Sequence, residues 1–197
     1  MEITTNLIME LRKRTNAGIM DCKNALKEAG CDMDKAGKIL REKGILKMQA
    51  RLGRLSDEGR IYSYIHPGGK VGVLVEIASE TDFVAKSDDF TNLLKETALQ
   101  IAGMKPLYLQ KEEVPENVLE EEKQVLLKNT DLSKKPPAIA EKIIEGKLSK
   151  FYESACLLEQ PYFRDEKVKF KNYFNGAAAS FGEAVKINRF TRYEIGQ

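Results

Sequence analysis

The sequence has no tryptophan, a single histidine and three cysteines. Any imidazole-based triad or metal cluster would have to be assembled around His66, which lies beside Pro67 at a turn and has no neighbouring serine or cysteine arranged as an activated nucleophile. Metal-ligand spacing is also missing around Cys22, Cys31 and Cys156, which read better as small apolar fillers. Their odd number, with an N-terminus lacking the apolar core of a secretory signal, points to a reducing cytoplasm. Glycines do not form the Walker pattern or the dinucleotide fingerprint, so no cofactor or metal is expected on this chain. Gly68-Gly69-Lys70 joins two strands and opens no helix, the wrong setting for a phosphate. No run approaches the roughly 20 apolar residues of a bilayer-spanning helix, and with a net charge of only +2 no membrane partner is expected.

Charge of one sign is lacking as well. Lys and Arg total 32 against 30 Asp and Glu, so no global field draws the chain to nucleic acid. The alternative is a nucleic-acid-binding module using the basic linker positions Arg41, Lys43, Lys47, Arg51 and Arg54. With no aromatic platform interleaved, linker solubility explains those residues more simply. The run Glu120-Glu121-Glu122 reads as a solvated helix face, so a hydrolase built on it or on His66 is the weakest reading. What the chain does have is core material: 42% hydrophobic residues is too many for the disordered class.

The first stretch reads as three short helices. Thr4 or Thr5 caps the first, which carries Leu7, Ile8 and Leu11 at helical spacing, and Asn16 to Gly18 turns the chain. The second places Ile19, Cys22, Ala25 and Leu26 on one side and stops near Gly30. Asp32 caps the third, which turns Ala36, Ile39 and Leu40 inward and is expected to end near Gly44. Residues 43 to 60 then form a basic, partly helical linker.

Two β-rich runs follow, Gly59 to Ile65 and Val71 to Ser79, joined by His66-Pro67-Gly68-Gly69 as a hairpin. Val71, Val73, Val75 and Ile77 alternate with Gly72, Leu74 and Glu76, giving the second strand one apolar face. Ser87 caps a helix with Phe90, Leu93, Leu94, Ala98, Ile101 and Ala102 on one stripe, ended by Pro106. Further helices are expected over Val118 to Lys128, Pro137 to Glu145 and Lys147 to Cys156, and a helix before Gly182 that includes Val168, Tyr173, Phe174 and Ala178. The end, Glu183 to Ile195, alternates Val185 and Ile187 with Phe190 out of phase, as a strand containing a bulge does. The fold class is α+β.

One segment stands out because of its position. Glu80-Thr81-Asp82-Phe83-Val84 comes directly after an apolar strand and just before Ser87 restarts a helix. On residue types alone, Thr81 or Asp82 caps a short turn and Phe83 packs beneath it, since a phenylalanine is more often core than anchor.

Two signatures change that balance. Leu11-Arg12, with Thr15-Asn16-Ala17-Gly18-Ile19-Met20-Asp21-Cys22-Lys23, is similar to the N-terminal signature of the elongation factor Ts family, Asn16 replacing the usual glycine. Glu76 to Lys86 resembles the family's Glu-Leu-Asn-x-Glu-Thr-Asp-Phe-Val-Ala pattern, with Ala78 where asparagine is usual. Tyr64-Ile65-His66, Val71 to Val75 and Leu157-Leu158-Glu159-Gln160-Pro161 extend the similarity over nearly the whole chain.

The resemblance implies an N-terminal three-helix domain like ubiquitin-associated domains over residues 1–50, then an α+β core of two related halves with antiparallel sheets, residues 51–135 and 136–197. It implies a short bacterial form without a coiled-coil insertion. It further implies a guanine-nucleotide exchange factor, without a chemical active site, whose partner is elongation factor Tu in its GDP-bound and nucleotide-free states. Thr81, Asp82, Phe83 and Val84 would enter the partner near its nucleotide-bound magnesium, and Leu11, Arg12, Ile19, Met20 and Lys23 would dock the N-terminal domain. For Leu11 helix packing is an equal alternative, whereas Met20 and Lys23 flank the turn and are expected outside. A homodimer through the terminal strand Phe190 to Ile195 is the remaining expectation, with an intramolecular partner for that strand equally compatible.

Overall fold

The computed structural model describes residues 3–15, 17–49, 57–128 and 137–196. Its elements are α1 (Thr5–Thr15), α2 (Ile19–Glu28), α3 (Met33–Gln49), β1 (Glu58–Ile65), β2 (Val71–Ser79), α4 (Asp82–Ala85), α5 (Asp88–Met104), α6 (Glu116–Lys128), α7 (Pro137–Ala155), β3 (Pro161–Tyr162), β4 (Asp165–Lys169), α8 (Phe170–Ala179) and β5 (Val185–Glu194). Three N-terminal helices precede a sheet-containing core, an α+β fold. Contacts divide the chain into two compact units, one of Met1–Ile61, Glu76–Leu93 and Phe174–Asn188, the other of Tyr62–Val75, Leu94–Tyr173 and Arg189–Gln197.

In the first unit, α1, α2 and α3 close on Leu11, Cys22, Ala25, Leu26, Ala36 and Leu40. The helix ends follow local chemistry. Asp32 Oδ1 accepts from the amides of Asp34 and Lys35, both at 3.0 Å, and Gly30 at φ +60° ends α2 as a left-handed residue. Two expectations fail here. Ile19 does not join the buried side of α2 but is 49% exposed. And α3 does not stop at Gly44: it runs on to Gln49, with Gly44 so close to α8 that an added Cβ would lie 3.1 Å from that of Ala179. A tertiary contact there outweighs the cost, roughly 1 kcal/mol, of glycine inside a helix.

The hairpin is as expected, with the His66 amide donating to the Val71 carbonyl and the Gly69 amide to that of His66, each at 2.9 Å. Strands β1, β2 and β5 form one sheet in that order. Gly59, at φ +143°, lies against β2 so closely that a Cβ would sit 2.3 Å from the Ile77 carbonyl oxygen; no side chain fits. Val73, Val75 and Ile77 are buried and Leu74 is exposed, as the alternation read from the sequence places them, while Val71, Gly72 and Glu76 are half-buried. Along β5 the burial alternation changes phase between Ile187 and Phe190, the phase change that a bulge produces.

In the second unit, the two helices expected over 137–156 are one, α7, because Phe151, Tyr152 and Ala155 pack with Val114, Val118 and Leu119 and outweigh the break at Gly146. The region around Val168 is also not all helix. Val168 lies in β4, which pairs antiparallel with β3 in a two-stranded ribbon before α8 begins. Only five residues long and mostly exposed, β4 has no apolar alternation to announce it.

Between α5 and this ribbon is a polar network that explains the Leu157 to Pro161 motif. Gln100 Nε2 donates to Gln160 Oε1 (3.2 Å) and the Pro161 carbonyl (3.0 Å), and its Oε1 accepts from the Phe163 amide (2.9 Å). Gln160 Nε2 donates to the carbonyls of Met104 (3.0 Å) and Ser154 (2.8 Å). Both glutamines are fully buried, and these partners meet the requirement that burial imposes.

Nearby, Arg164 grips Glu96 with two bonds of 2.7 and 2.8 Å, and the Tyr162 hydroxyl donates to the same carboxylate at 2.7 Å. The Arg164 bonds hold the Glu96 carboxyl below its ordinary value, overcoming the upward push of burial. A carboxyl lowered in the folded state contributes stability above its unfolded value, about pH 4.3, and loses it as pH falls through the folded value. Thermal midpoints measured from neutral pH downward should therefore drop more steeply in acid for the wild-type chain than for Glu96→Gln.

Candidate functional site

The corner between β2 and α5 is built by capping. After the buried Ser79, whose Oγ donates to the Thr81 carbonyl at 3.0 Å, the chain leaves the sheet. Thr81, extended at φ −129° and ψ 151°, is the N-cap of α4: its Oγ1 accepts from the Val84 amide at 3.4 Å. Val84 and Ala85 turn inward and are buried. Ser87 then accepts the Phe90 amide at 3.2 Å and starts α5. Two caps within seven residues leave α4 a single turn, too short to hide its own outer face.

That outer face carries Asp82 and Phe83. Phe83 is 83% exposed, so the reading that buries it beneath the corner is overturned. An exposed phenylalanine on a capped turn is held out by its backbone, because the turn that would have to rotate to hide the ring is fixed by buried Val84 and Ala85. Asp82 pairs with Lys86 at 2.6 Å, and that hydrogen bond holds the Asp82 carboxyl below its ordinary range and the Lys86 ammonium above its own. Of the four expected residues, Thr81, Asp82 and Phe83 lie on the surface, while Val84 is 8% exposed and anchors the turn.

The N-terminal set divides in the same way. Arg12, Ile19, Met20 and Lys23 are exposed, with Met20 at 65%, and a shallow depression lined by Met9, Glu10, Arg12 and Lys13 lies on the same helical domain. Leu11 is buried at the centre of the three-helix core and has the packing role. Met9, 56% exposed and one turn from Lys13 on α1, was not singled out from the sequence, where a lone methionine carries no signal.

The other chemistry-bearing residues stay apart. His66 is exposed at the hairpin tip, its Nδ1 2.9 Å from the Tyr64 hydroxyl. Cys22 and Cys156 are buried and unbridged; burial raises both thiols, Cys156 to about 11, so neither is a thiolate at neutral pH. Among the described residues, no group of histidine, cysteine and carboxylate side chains could hold a metal, and no helix is long and apolar enough to cross a membrane. In the basic linker, Lys43 pairs with Glu28, whereas Arg51, Arg54 and the Lys47 side chain lie outside the described residues.

Comparison with known proteins decides the family. The model of the family described as Elongation factor TS matches residues 33–197. The chain is 48% identical to "Elongation factor Ts" of Coprothermobacter proteolyticus over 197 residues, 100% of both chains. It is 49% identical to that of Thermotoga maritima, covering 100% of this chain and 98% of the relative, and 46% identical to that of Carboxydothermus hydrogenoformans, covering 99% and 90%. The chain belongs to the elongation factor Ts family. Full-length coverage carries the membership through α1 and α2, which precede the matched model. An elongation factor of translation is thus what the fold and the exposed corner belong to.

Proposed function

We propose that this chain promotes exchange of GDP for GTP on elongation factor Tu, as an exchange factor that makes and breaks no covalent bond. In this reading Phe83 and Asp82 enter the partner beside its nucleotide-bound magnesium and displace the ion, while Thr81 and Val84 hold the turn that presents them. The single observation that supports it is a large aromatic ring held 83% exposed on a doubly capped corner within a matching signature. Magnesium bridges nucleotide phosphates, so disturbing the elements that hold it weakens nucleotide binding. Linkage then requires nucleotide to weaken the protein's own binding by the same factor, and rebinding of GTP releases the factor for another round.

Arg12, Ile19, Met20 and Lys23 are proposed to dock the N-terminal domain on the same partner, in the cytoplasm. The division at residues 50 and 135 belongs to the proposal too, since both boundaries fall outside the described residues. So does a homodimer: β5 lies at one edge of its sheet, which supports edge pairing, and light scattering of the free protein would show a doubled mass.

The experiment is release of a fluorescent GDP from purified elongation factor Tu with and without this chain. Acceleration at catalytic amounts is expected; no acceleration would end the reading. In the same assay Asp82→Ala should give a smaller loss than removing the Phe83 ring. Asp82 is solvated and pairs with Lys86, and Thr81 caps α4 without it.

A further inference from the structure

The corner is tied to a distant loop by two carboxylates that cross. Glu183, in the loop between α8 and β5, accepts from the Thr81 amide at 3.1 Å with one oxygen and from the Thr81 hydroxyl at 2.9 Å with the other. In return Glu80 Oε1 accepts from the Ala184 amide at 2.8 Å. Each segment thus supplies the carboxylate that satisfies a backbone amide of the other. The Thr81 hydroxyl works in both directions: it accepts from the Val84 amide, capping α4, and gives its one proton to Glu183.

The loop offering Glu183 is itself fixed. Gly182, at φ +73°, makes the left-handed turn that brings Glu183 round, and Phe181 packs edge-on against Phe90, the buried ring in the first turn of α5. From Phe90 through Phe181 and Glu183 to Thr81 runs a connected path that ends on the residue capping the turn on which Phe83 stands. Nothing in the capping of α4 alone requires a carboxylate 102 residues away.

We propose that Glu183 is a positioning residue for exchange: it does not act by touching the partner, but fixes the Thr81 cap so that the α4 turn presents Phe83 in one orientation. This rests on the exchange function proposed above. Hydrogen bonds that a carboxylate accepts from a backbone amide and a hydroxyl are stronger than their neutral counterparts, and here they hold the residue whose own side-chain cap, to the Val84 amide, is long at 3.4 Å.

Two measurements test the proposal. In the free protein, Glu183→Ala should speed hydrogen exchange of the Thr81 amide about tenfold or more, with the α1–α3 amides unchanged. An unchanged Thr81 rate would overturn the clamp without any reference to the partner. In the GDP-release assay, Glu183→Ala should slow assisted release at least about fivefold, and Glu183→Gln, which keeps the volume and one acceptor, should be intermediate. Placed in the Phe83→Ala background, Glu183→Ala should cost less than about twofold more, because its effect passes through the ring. Equal losses in both backgrounds, or no loss in either, would overturn the inference while leaving the exchange reading intact. Failure of the wild-type chain to accelerate release would instead remove the exchange reading, and the positioning role with it.

Discussion

Replacing Phe83 with alanine is expected to slow assisted GDP release from elongation factor Tu about 30-fold, the kinetic equivalent of about 2 kcal/mol for one aromatic anchor. The ring is 83% exposed in the free chain, so its removal leaves no cavity and should barely alter the thermal midpoint. Loss of exchange at unchanged stability separates an interface role from a folding role. The capped turn predicts which constant moves. Because the backbone at Thr81 and Val84 still presents the truncated side chain, encounter should be little affected, and the loss should appear as weaker coupling between the nucleotide and the bound factor. A variant that instead melted early would mean the ring packs somewhere in its own chain.

The opposite result is expected at Phe90, seven residues on. Phe90 is fully buried at the start of α5 and meets Phe181 with ring centroids 5.8 Å apart at 67°. Phe90→Ala should destabilise the protein by about 3–5 kcal/mol, the usual cost of emptying a buried phenylalanine site. For a domain of this size that lowers the thermal midpoint by roughly 10 °C or more. The edge-on contact with Phe181 also links Phe90 to the loop that carries Glu183, so the truncated protein should lose part of its exchange activity even where it remains folded. Denaturation followed by circular dichroism, beside the GDP-release assay, checks both consequences.

These two phenylalanines also show how far the sequence is legible. Phe90 falls on a helical stripe with Leu93, Leu94, Ala98, Ile101 and Ala102, and all of these are buried except Ala102, which is half-buried; periodicity suffices because the helix is long. Phe83 has no such frame. It stands on a turn of four residues, where no period exists to tell inside from outside, and residue type alone favours the wrong side. Only the surrounding signature places it correctly. Helix α2 shows a related limit, since Ile19 shares its apolar character with Cys22, Ala25 and Leu26 but sits at the first helical position, before the core begins. Boundaries that the sequence misplaces have tertiary causes: α3 continues past Gly44 because α8 is against it, and α7 continues through Gly146 because Phe151 and Tyr152 pack beyond it. Ribbon β3–β4 is too short and too exposed to carry a pattern. The Glu183 link to Thr81 spans 102 residues and has no sequence period at all, so only the folded chain reveals it.

Photo-crosslinking from position 83 reports where the Phe83 ring goes in the complex. A benzophenone side chain replacing that of Phe83 should join this chain to the GTPase domain of nucleotide-free elongation factor Tu, at peptides flanking its magnesium site, and excess GDP with magnesium should suppress the product. A stable complex that yields no crosslink from position 83, or yields it undiminished with magnesium and GDP bound, would mean that the ring does not reach the magnesium site or does not compete with the ion.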